Sequence, residues 1–306
     1  KFNSLTFLLI KNIKVKYIRE ILIMLKEGIT PIDIKRIFDK RDTKIEYLER
    51  LFAQTNLYLT IPRSIVGIDS CIIDTWNYRV SKDILREMFF HSEKYLSGIE
   101  CKNDIDFLID DWNRNNLGVI EWPFSAANFD GYVARLNRRT EFSEKDKDNI
   151  LAEEVIKFRR IKDINTKRND YIESLIVLYN KNIIPTFRHN RGLDYYINGE
   201  PFDQKVSRGV GKAFKNEFGD GYYNIAINHP ELVAKSLYEN QDEERFDDDP
   251  RIYVVYLDDN ISSDTIEQAI IDTDFNNPIE IDFEYRHSNR NILLHRTHCY
   301  ILLLHN

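Results

Sequence analysis

The sequence contains only three cysteines, Cys71, Cys101 and Cys299, among its 306 residues. They are widely spaced, odd in number, and form none of the CxxC pairs that zinc sites and dithiol redox sites commonly use. We therefore expect a protein of a reducing compartment, without a zinc site or a redox site built from cysteine.

A long apolar run is also missing. In residues 1–28, charged side chains recur every few positions after a short apolar stretch, and no small-residue cleavage site follows. Such a segment is too short for a membrane span and differs from a secretory signal. The prediction is a cytoplasmic protein with no membrane partner.

The chain lacks an excess of positive charge, since its net charge is −7 and its pI is about 5.6. These values argue against a protein that coats nucleic acid non-specifically. The charge is nevertheless uneven: residues 241–250 are strongly acidic, whereas residues 156–168 carry six Lys or Arg against one Asp. The basic segment is either a face that meets phosphates or a solvated helix face.

What is present is enough apolar material for a sizeable core. Hydrophobic residues make up 42% of the chain and aromatic residues 12%, and the length favours two domains. The sequence shows no internal repeat and no low-complexity linker. We place a mainly helical region, for DNA recognition or dimerisation, at residues 1–140 and a second domain at residues 141–306.

The first region is predicted to be helical because apolar residues recur at spacings of three and four over residues 13–59. Gly28 breaks the pattern, and Thr30-Pro31 has the form of an N-cap followed by proline at the first helical position. This outline fits a DNA-reading helix-turn-helix, and it equally fits any pair of packed helices. Further helices are expected at residues 81–97 and 103–114.

The second region alternates helices with short β-rich runs. Helices are predicted at residues 143–163, 169–182, 210–218, 230–239 and 263–272. Strands are predicted at residues 183–189, 193–197, 201–207, 222–228, 251–257, 279–286 and 299–304. The predicted fold class is mixed α/β, with a helical N-terminal region followed by a mixed β-sheet flanked by helices.

The most informative stretch is RGLDYYINGEPFDQKVSRG, residues 191–209. Asn198-Gly199 is a strong hairpin signal, so the flanking runs should be antiparallel neighbours. Asp203 and Lys205 are two residues apart on one strand and point to the same face. Asp194 lies on the partner strand, where the hairpin can bring it close to Asp203.

Two carboxylates and a lysine at one place suit phosphodiester hydrolysis. Carboxylate oxygens from Asp194 and Asp203 can hold Mg²⁺, which keeps several waters and meets phosphate oxygens of the substrate. The metal polarises the phosphoryl group, while Lys205 can orient or deprotonate the attacking water and neutralise charge in the transition state.

This stretch resembles the PD-(D/E)xK, or restriction-endonuclease-like, nucleases. The matching elements are a helix with Glu173, a strand with Asp194, a strand with Asp203-Gln204-Lys205, and a following helix near residues 210–218. Leu193 stands where that family usually has proline. The resemblance covers about residues 169–260. It implies a Mg²⁺-dependent endonuclease similar to type II restriction enzymes, a homodimer that cuts double-stranded DNA, with Glu173 as a further catalytic residue that supports the metal.

Candidate DNA contacts come from the basic segment and from the residues just after Lys205. They are Arg159, Arg160, Lys167, Arg168, Ser207, Arg208 and Lys212. Of the other motifs, GVGKAF at residues 209–214 lacks the full spacing of a phosphate-binding P-loop, and HRTH at residues 295–298 lacks further zinc ligands.

Three alternatives remain open. In the first, Asp194 caps a turn, and Asp203 and Lys205 form an exposed ion pair of little energetic weight. In the second, the protein is a non-catalytic DNA-binding or regulatory protein that reads DNA with helices within residues 13–59 and binds it without a divalent metal. In the third, it is an inactive or accessory member of a defence system, in which the fold persists and cleavage does not.

Overall fold

The computed structural model describes residues 31–114, 126–190, 193–241, 246–258, 260–287 and 291–306. The chain divides into two compact units. The first comprises the described residues of Lys1–Ser92 together with Lys181–Asp203, and the second those of Glu93–Asn180 together with Gln204–Asn306. The units are therefore interleaved along the chain, whereas the sequence predicted two consecutive domains that meet near residue 140.

The helices are α1 (Pro31–Ile37), α2 (Arg41–Thr55), α3 (Ile65–Thr75), α4 (Tyr78–Phe90), α5 (Glu93–Arg114), α6 (Ala126–Asn137), α7 (Glu144–Tyr179), α8 (Gly211–Phe218), α9 (Tyr222–Asn228), α10 (Pro230–Glu239) and α11 (Ser263–Asp272). A short 3-10 turn, Gly219–Gly221, separates α8 from α9. The strands are β1 (Ile183–Asn190), β2 (Leu193–Ile197), β3 (Glu200–Arg208), β4 (Arg251–Tyr256), β5 (Ile279–Arg286) and β6 (Ile292–Leu304).

The strands follow the order β1-β2-β3-β4-β6-β5. Neighbours β1, β2 and β3 are antiparallel, β4 runs parallel to β6, and β5 runs antiparallel to β6. Strand β3 belongs to both units, since the division falls between Asp203 and Gln204. The predicted fold class, mixed α/β with a mixed sheet flanked by helices and helices towards the N-terminus, is confirmed.

The first unit packs α1–α4 around one apolar cluster. Helix α1 begins at Pro31, as predicted, while residues 13–30 lie outside the described part of the chain. Side chains of Ser64 and Asn77 cap the N-termini of α3 and α4. The same cluster includes Ile184, Leu193 and Tyr196 of the β1–β2 hairpin. Apolar burial therefore holds the hairpin against the helices.

The second unit is organised by α7, a single helix of 36 residues. Its start agrees with the predicted one, and Ser143 at the N-cap position forms a capping box with Asp146. The break predicted between residues 163 and 169 is wrong. Ile164, Arg168 and Tyr171 are buried at helical spacing through this segment, so packing supports one continuous helix.

Helix α5 lies close against α7 because Gly98 has no side chain. A Cβ atom at Gly98 would lie 2.1 Å from Ser174 Oγ and 2.6 Å from the carbonyl oxygen of Asp170. A polar network joins α5, α7 and α11: Lys102 Nζ lies 2.8 Å from both Asp264 and Glu267, and the hydroxyl groups of Tyr171 and Tyr179 also donate to Glu267.

The sheet of the second unit covers a separate apolar cluster. Val255 of β4, Phe283 of β5 and Cys299 of β6 pack there against Phe214 of α8 and Tyr238 of α10.

The strand predicted at residues 222–228 is wrong, because these residues form α9. Tyr222, Ile225 and Ala226 contact the apolar cluster at spacings of three and four, which a helix satisfies and a strand does not.

None of the helices in the described part of the chain combines the length and apolar character that crossing a membrane requires.

Candidate functional site

The turn between β2 and β3 has the geometry that its sequence predicts. Asn198 and Gly199 have φ values of 52° and 84°, as the two central residues of a type I′ hairpin turn require. The turn sets the register of the hairpin, in which the paired residues are Tyr195 with Phe202, Tyr196 with Pro201 and Ile197 with Glu200. Continuing this register by one residue sets Asp194 opposite Asp203.

The two aspartates therefore share one side of the hairpin. Directly opposed residues on antiparallel strands have Cβ atoms about 4.5–5.5 Å apart. Asp203 is only 6% exposed, and Asp194 is half-buried within a strand. This placement differs from the alternative in which Asp194 caps a turn and Asp203 forms part of an exposed ion pair.

Strand β1 is irregular where it passes Asp194. Pro185 of β1 pairs with Tyr195 of β2, and the pairing is regular up to this point. The register then shifts, and the next recorded pair is Asn190 with Leu193. At this point Thr186, which is fully buried, donates its hydroxyl group to the carbonyl oxygen of Asp194 at 3.1 Å. The Thr186 side chain thus forms a hydrogen bond with this carbonyl oxygen where the register shifts, and the bond helps to position Asp194. Such irregularities commonly redirect side chains beside active sites.

An opposed pair of carboxylates has an electrostatic cost. Like charges directly across two strands destabilise the sheet, and partial burial weakens the solvent screening that would reduce the repulsion. Both residues take part in further interactions within the protein. Two carboxylates on one side of a hairpin are also a donor set of the kind that a divalent cation uses.

Lys205 follows Asp203 on β3, in the part of the strand that belongs to the second unit. Residues two apart on a strand project to the same side, so the local geometry of the DxK motif is the one predicted. The side chain of Lys205 is half-buried.

Glu173 has a different setting from the one predicted. It lies on α7, is 8% exposed, and its Oε2 atom is 2.7 Å from Lys94 Nζ on α5. The lysine neutralises the carboxylate within the second unit. The position gives no support to Glu173 as a catalytic residue or metal ligand, since the ion pair would first have to break.

The carboxylates of Asp194 and Asp203 are of the ligand type that Mg²⁺ uses in proteins. Among the described residues, no group of three or more His, Cys, Asp or Glu side chains is arranged to hold a metal ion. Mg²⁺ typically uses one or two carboxylates and completes its shell with waters and substrate phosphates. Structural zinc sites require four protein ligands. The donor set at the hairpin therefore suits Mg²⁺.

Two cationic side chains in the basic segment of α7 form ion pairs with α5. Arg160 Nη1 lies 2.9 Å from Asp111, and Lys167 Nζ lies 2.5 Å from Asp104, so both pair with acids of α5. These residues were predicted to contact DNA. These ion pairs give Arg160 and Lys167 a structural role that does not involve DNA.

Arg168 is buried, at 2% exposure. Its guanidinium lies 4.7 Å from the ring centre of Tyr256 and donates to the carbonyl oxygen of Ile261 at 3.4 Å. Burial raises the pKa of Tyr256 to about 12, and the positive charges of Arg168 and Arg208 oppose that rise. The predicted DNA contact at Arg168 is incompatible with this burial, so we correct its role to a structural one.

The remaining predicted DNA contacts keep some access to solvent. Arg159 and Lys212 are exposed, while Ser207 and Arg208 are half-buried. The Ser207 hydroxyl donates to the carbonyl oxygen of Gly209 at 2.8 Å, which stabilises the bend from β3 into α8. Arg159 and Lys212 are thus the members of the predicted set most available to a phosphate.

The histidines near the C-terminus belong to an aromatic cluster. The ring of His295 stacks on Phe283 at 5.2 Å, and its Nδ1 atom lies 2.9 Å from Asp248. Phe246 contacts the rings of both His287 and His295 edge-on. Ring packing and the contact with Asp248 hold the side chain of His295, whose buried Nε2 atom has no hydrogen-bond partner in the described part of the chain.

The sequence did not predict one cluster of cationic side chains. Lys35, Lys40, Arg41 and Lys44 surround a cavity of about 230 Å³ in the first unit. Their clustering in IKRIFDKRDTK was visible in the sequence, but the three-dimensional convergence around the α1–α2 turn was not.

Comparison with protein-family models, with curated proteins and with solved structures finds no significant match.

Proposed function

We propose that the protein is a Mg²⁺-dependent endonuclease that hydrolyses phosphodiester bonds of double-stranded DNA. The observation that carries the proposal is the hairpin register, which, continued by one residue beyond the Tyr195–Phe202 pair, sets Asp194 opposite the buried Asp203. Two carboxylates on one side of a hairpin can hold a divalent cation, and phosphodiester hydrolysis is a reaction that uses such a cation.

In this proposal Asp194 and Asp203 hold Mg²⁺, which when bound polarises the phosphoryl group and lowers the pKa of a bound water. Lys205 orients the attacking water and stabilises the negative charge that develops on the phosphoryl oxygens. Thr186 positions Asp194 through the backbone carbonyl. The proposal assigns no metal-binding role to Glu173, because Lys94 already pairs with it.

The order of helix, strand with Asp194, strand with DxK, and helix α8 supports a similarity to type II restriction enzymes. We extend the proposal to a homodimer that cuts both strands, as that similarity implies. Arg159 and Lys212 are the proposed phosphate contacts of the second unit, since both are exposed.

A second candidate is a non-catalytic DNA-binding protein. It is favoured by the first unit, in which α1 and α2 are joined by the three residues Phe38–Lys40, a connection length found in DNA-binding helix-turn-helix units. This candidate predicts DNA binding that does not depend on a divalent metal.

The test uses the full chain with supercoiled plasmid, linear phage DNA and structured RNA, each with Mg²⁺ or with EDTA. The expected result is DNA fragmentation that requires Mg²⁺ and is abolished by Asp203→Asn. Asp220→Asn, at an exposed position of the second unit, is the matched control and should cleave normally. Absence of cleavage on all substrates, or equal cleavage by Asp203→Asn, would overturn the proposal.

A further inference from the structure

The cavity of about 230 Å³ lies in the first unit, at the turn between α1 and α2. At about 30 Å³ per water molecule, this space accommodates a group of the size of phosphate together with solvent. Four of its seven lining residues, Lys35, Lys40, Arg41 and Lys44, are cationic, and one, Asp39, is acidic.

The positive charges are not cancelled by their acidic neighbours. Lys44 is 8% exposed and is held by Asp69 at 2.7 Å. Asp39 accepts a hydrogen bond from Thr43 at 2.6 Å and lies 3.6 Å from Lys40 Nζ. Asp42, 3.9 Å from Arg41, is a third acidic neighbour, so the four lining cations exceed the neighbouring carboxylates by one.

Arg41 adds a donor that can turn towards a ligand. Its Nη1 atom is 3.9 Å from Asp42, whose side chain is 94% exposed, and its Nη2 atom donates to the carbonyl oxygen of Arg63 at 3.4 Å. Both contacts are long and open to solvent, so they are weak. The side chain of Lys40 is 78% exposed, and it too can reorient at little cost.

The backbone at the start of α2 also favours a bound anion. Helix α2 begins at Arg41, after Lys40 at the N-cap position, and the side chain of Lys40 makes no capping hydrogen bond. Lysine carries no acceptor, so it cannot bond the amide groups of the first turn. The first turn contains one acidic residue, Asp42, and the helix dipole at this end favours an anion.

We propose that this cavity binds a phosphate group through Lys35, Lys40 and Arg41. Phosphate offers several acceptor oxygens at one centre, and several cations that converge on one cavity match it. The group can come from a nucleic-acid backbone or from a free phosphate compound. This inference goes beyond the proposed nuclease activity and does not depend on it, because the first unit would bind phosphate whether or not the chain cleaves DNA.

The experiment measures binding by the full chain in EDTA, so that cleavage plays no part. Fluorescence anisotropy with a labelled DNA duplex is recorded over a range of salt concentrations. The variant Lys40→Ala/Arg41→Ala is compared with Arg79→Ala, which removes an exposed cation of α4 in the same unit. Thermal unfolding with inorganic phosphate is measured in parallel for all three proteins.

If the phosphate comes from nucleic acid, the double variant binds the duplex more weakly, and its slope of log affinity against log salt is shallower by about two. If it is a free phosphate compound, inorganic phosphate raises the Tm of the wild type and of Arg79→Ala but not of the double variant. Equal salt slopes for all three proteins, combined with no phosphate-dependent difference in Tm, would overturn the inference. Lys40 and Arg41 are exposed, so the variant is expected to fold.

Discussion

Tyr195 pairs with Phe202 across the β2–β3 hairpin, and this register, continued by one residue, sets Asp194 opposite the buried Asp203. The turn at Asn198-Gly199 sets the register, and the register brings the two carboxylates to one side of the hairpin. The proposed Mg²⁺ would bind there.

The first prediction concerns stability in Mg²⁺. Wild-type protein should unfold at a higher temperature in Mg²⁺ than in EDTA, by the equivalent of about 2.7 kcal/mol when Mg²⁺ exceeds its Kd a hundredfold. Asp203→Asn removes one of the two proposed ligands, so it should lose the response to Mg²⁺. Differential scanning calorimetry measures both effects. Asp220→Asn should respond like the wild type, and a response retained by Asp203→Asn would contradict the assignment.

The second prediction separates metal binding from catalysis. Lys205→Ala should keep the Mg²⁺-dependent rise in Tm, because the two carboxylates are intact. Its single-turnover cleavage rate should fall by about 10²–10³, the usual effect of removing one group that stabilises transition-state charge. Lys235→Ala, at an exposed position of α10, serves as control. A Lys205→Ala variant that cleaves at the wild-type rate would remove the lysine from the mechanism.

The third prediction contrasts two arginines of α7. Arg168→Ala should lower the free energy of unfolding by about 2 kcal/mol or more, because it deletes a desolvated cation–π contact with Tyr256 and leaves a void. Arg159→Ala, at an exposed site, should change it by less than about 0.5 kcal/mol. Urea unfolding gives both values. Similar stabilities for the two variants would show that the packing of Arg168 contributes little.

The fourth prediction concerns acid unfolding of the second unit. Hydrogen bonds from Lys102 and then Tyr179 hold the pKa of Glu267 below its ordinary value. Because the folded pKa is the lower one, this contribution is present above the unfolded value of about 4.3 and is lost as the pH falls through the folded pKa. Glu267→Gln should therefore be less stable than the wild type near neutral pH, and the difference should shrink below about pH 4.

Urea unfolding from neutral to acidic pH checks this difference. The exposed Glu49→Gln is the matched control and should follow the wild-type curve. A constant difference between Glu267→Gln and the wild type across the whole range would mean that ionisation of Glu267 is not coupled to folding.

The β2–β3 hairpin was predictable from sequence because its determinants are local. Asn198-Gly199 selects a two-residue turn, and alternation on both sides sets which residues share a face. The bounds of β2, α10 and α11 agree with the predicted ranges for the same reason, since each has a clear cap, turn or proline at its ends.

Other features depend on contacts that are distant in sequence. The pairing of Glu173 with Lys94 joins residues of two helices and has no local signature. The burial of Arg168 likewise depends on the position of Tyr256 in β4. A basic segment has the same sequence pattern whether its side chains bind phosphates or pair with the acids of a neighbouring helix. The sequence alone therefore could not distinguish DNA binding from a structural role.

The central claim is that Asp194 and Asp203 bind a divalent cation, and iron-directed cleavage of the polypeptide tests it most directly. Fe²⁺ is added in place of Mg²⁺ with ascorbate and peroxide, and mass spectrometry locates the backbone cuts made by radicals released near the bound ion. We predict cuts within β2 and β3 that excess Mg²⁺ suppresses and that are absent from Asp194→Asn/Asp203→Asn. Cuts confined to other parts of the chain, or the same cuts in the double variant, would contradict the claim.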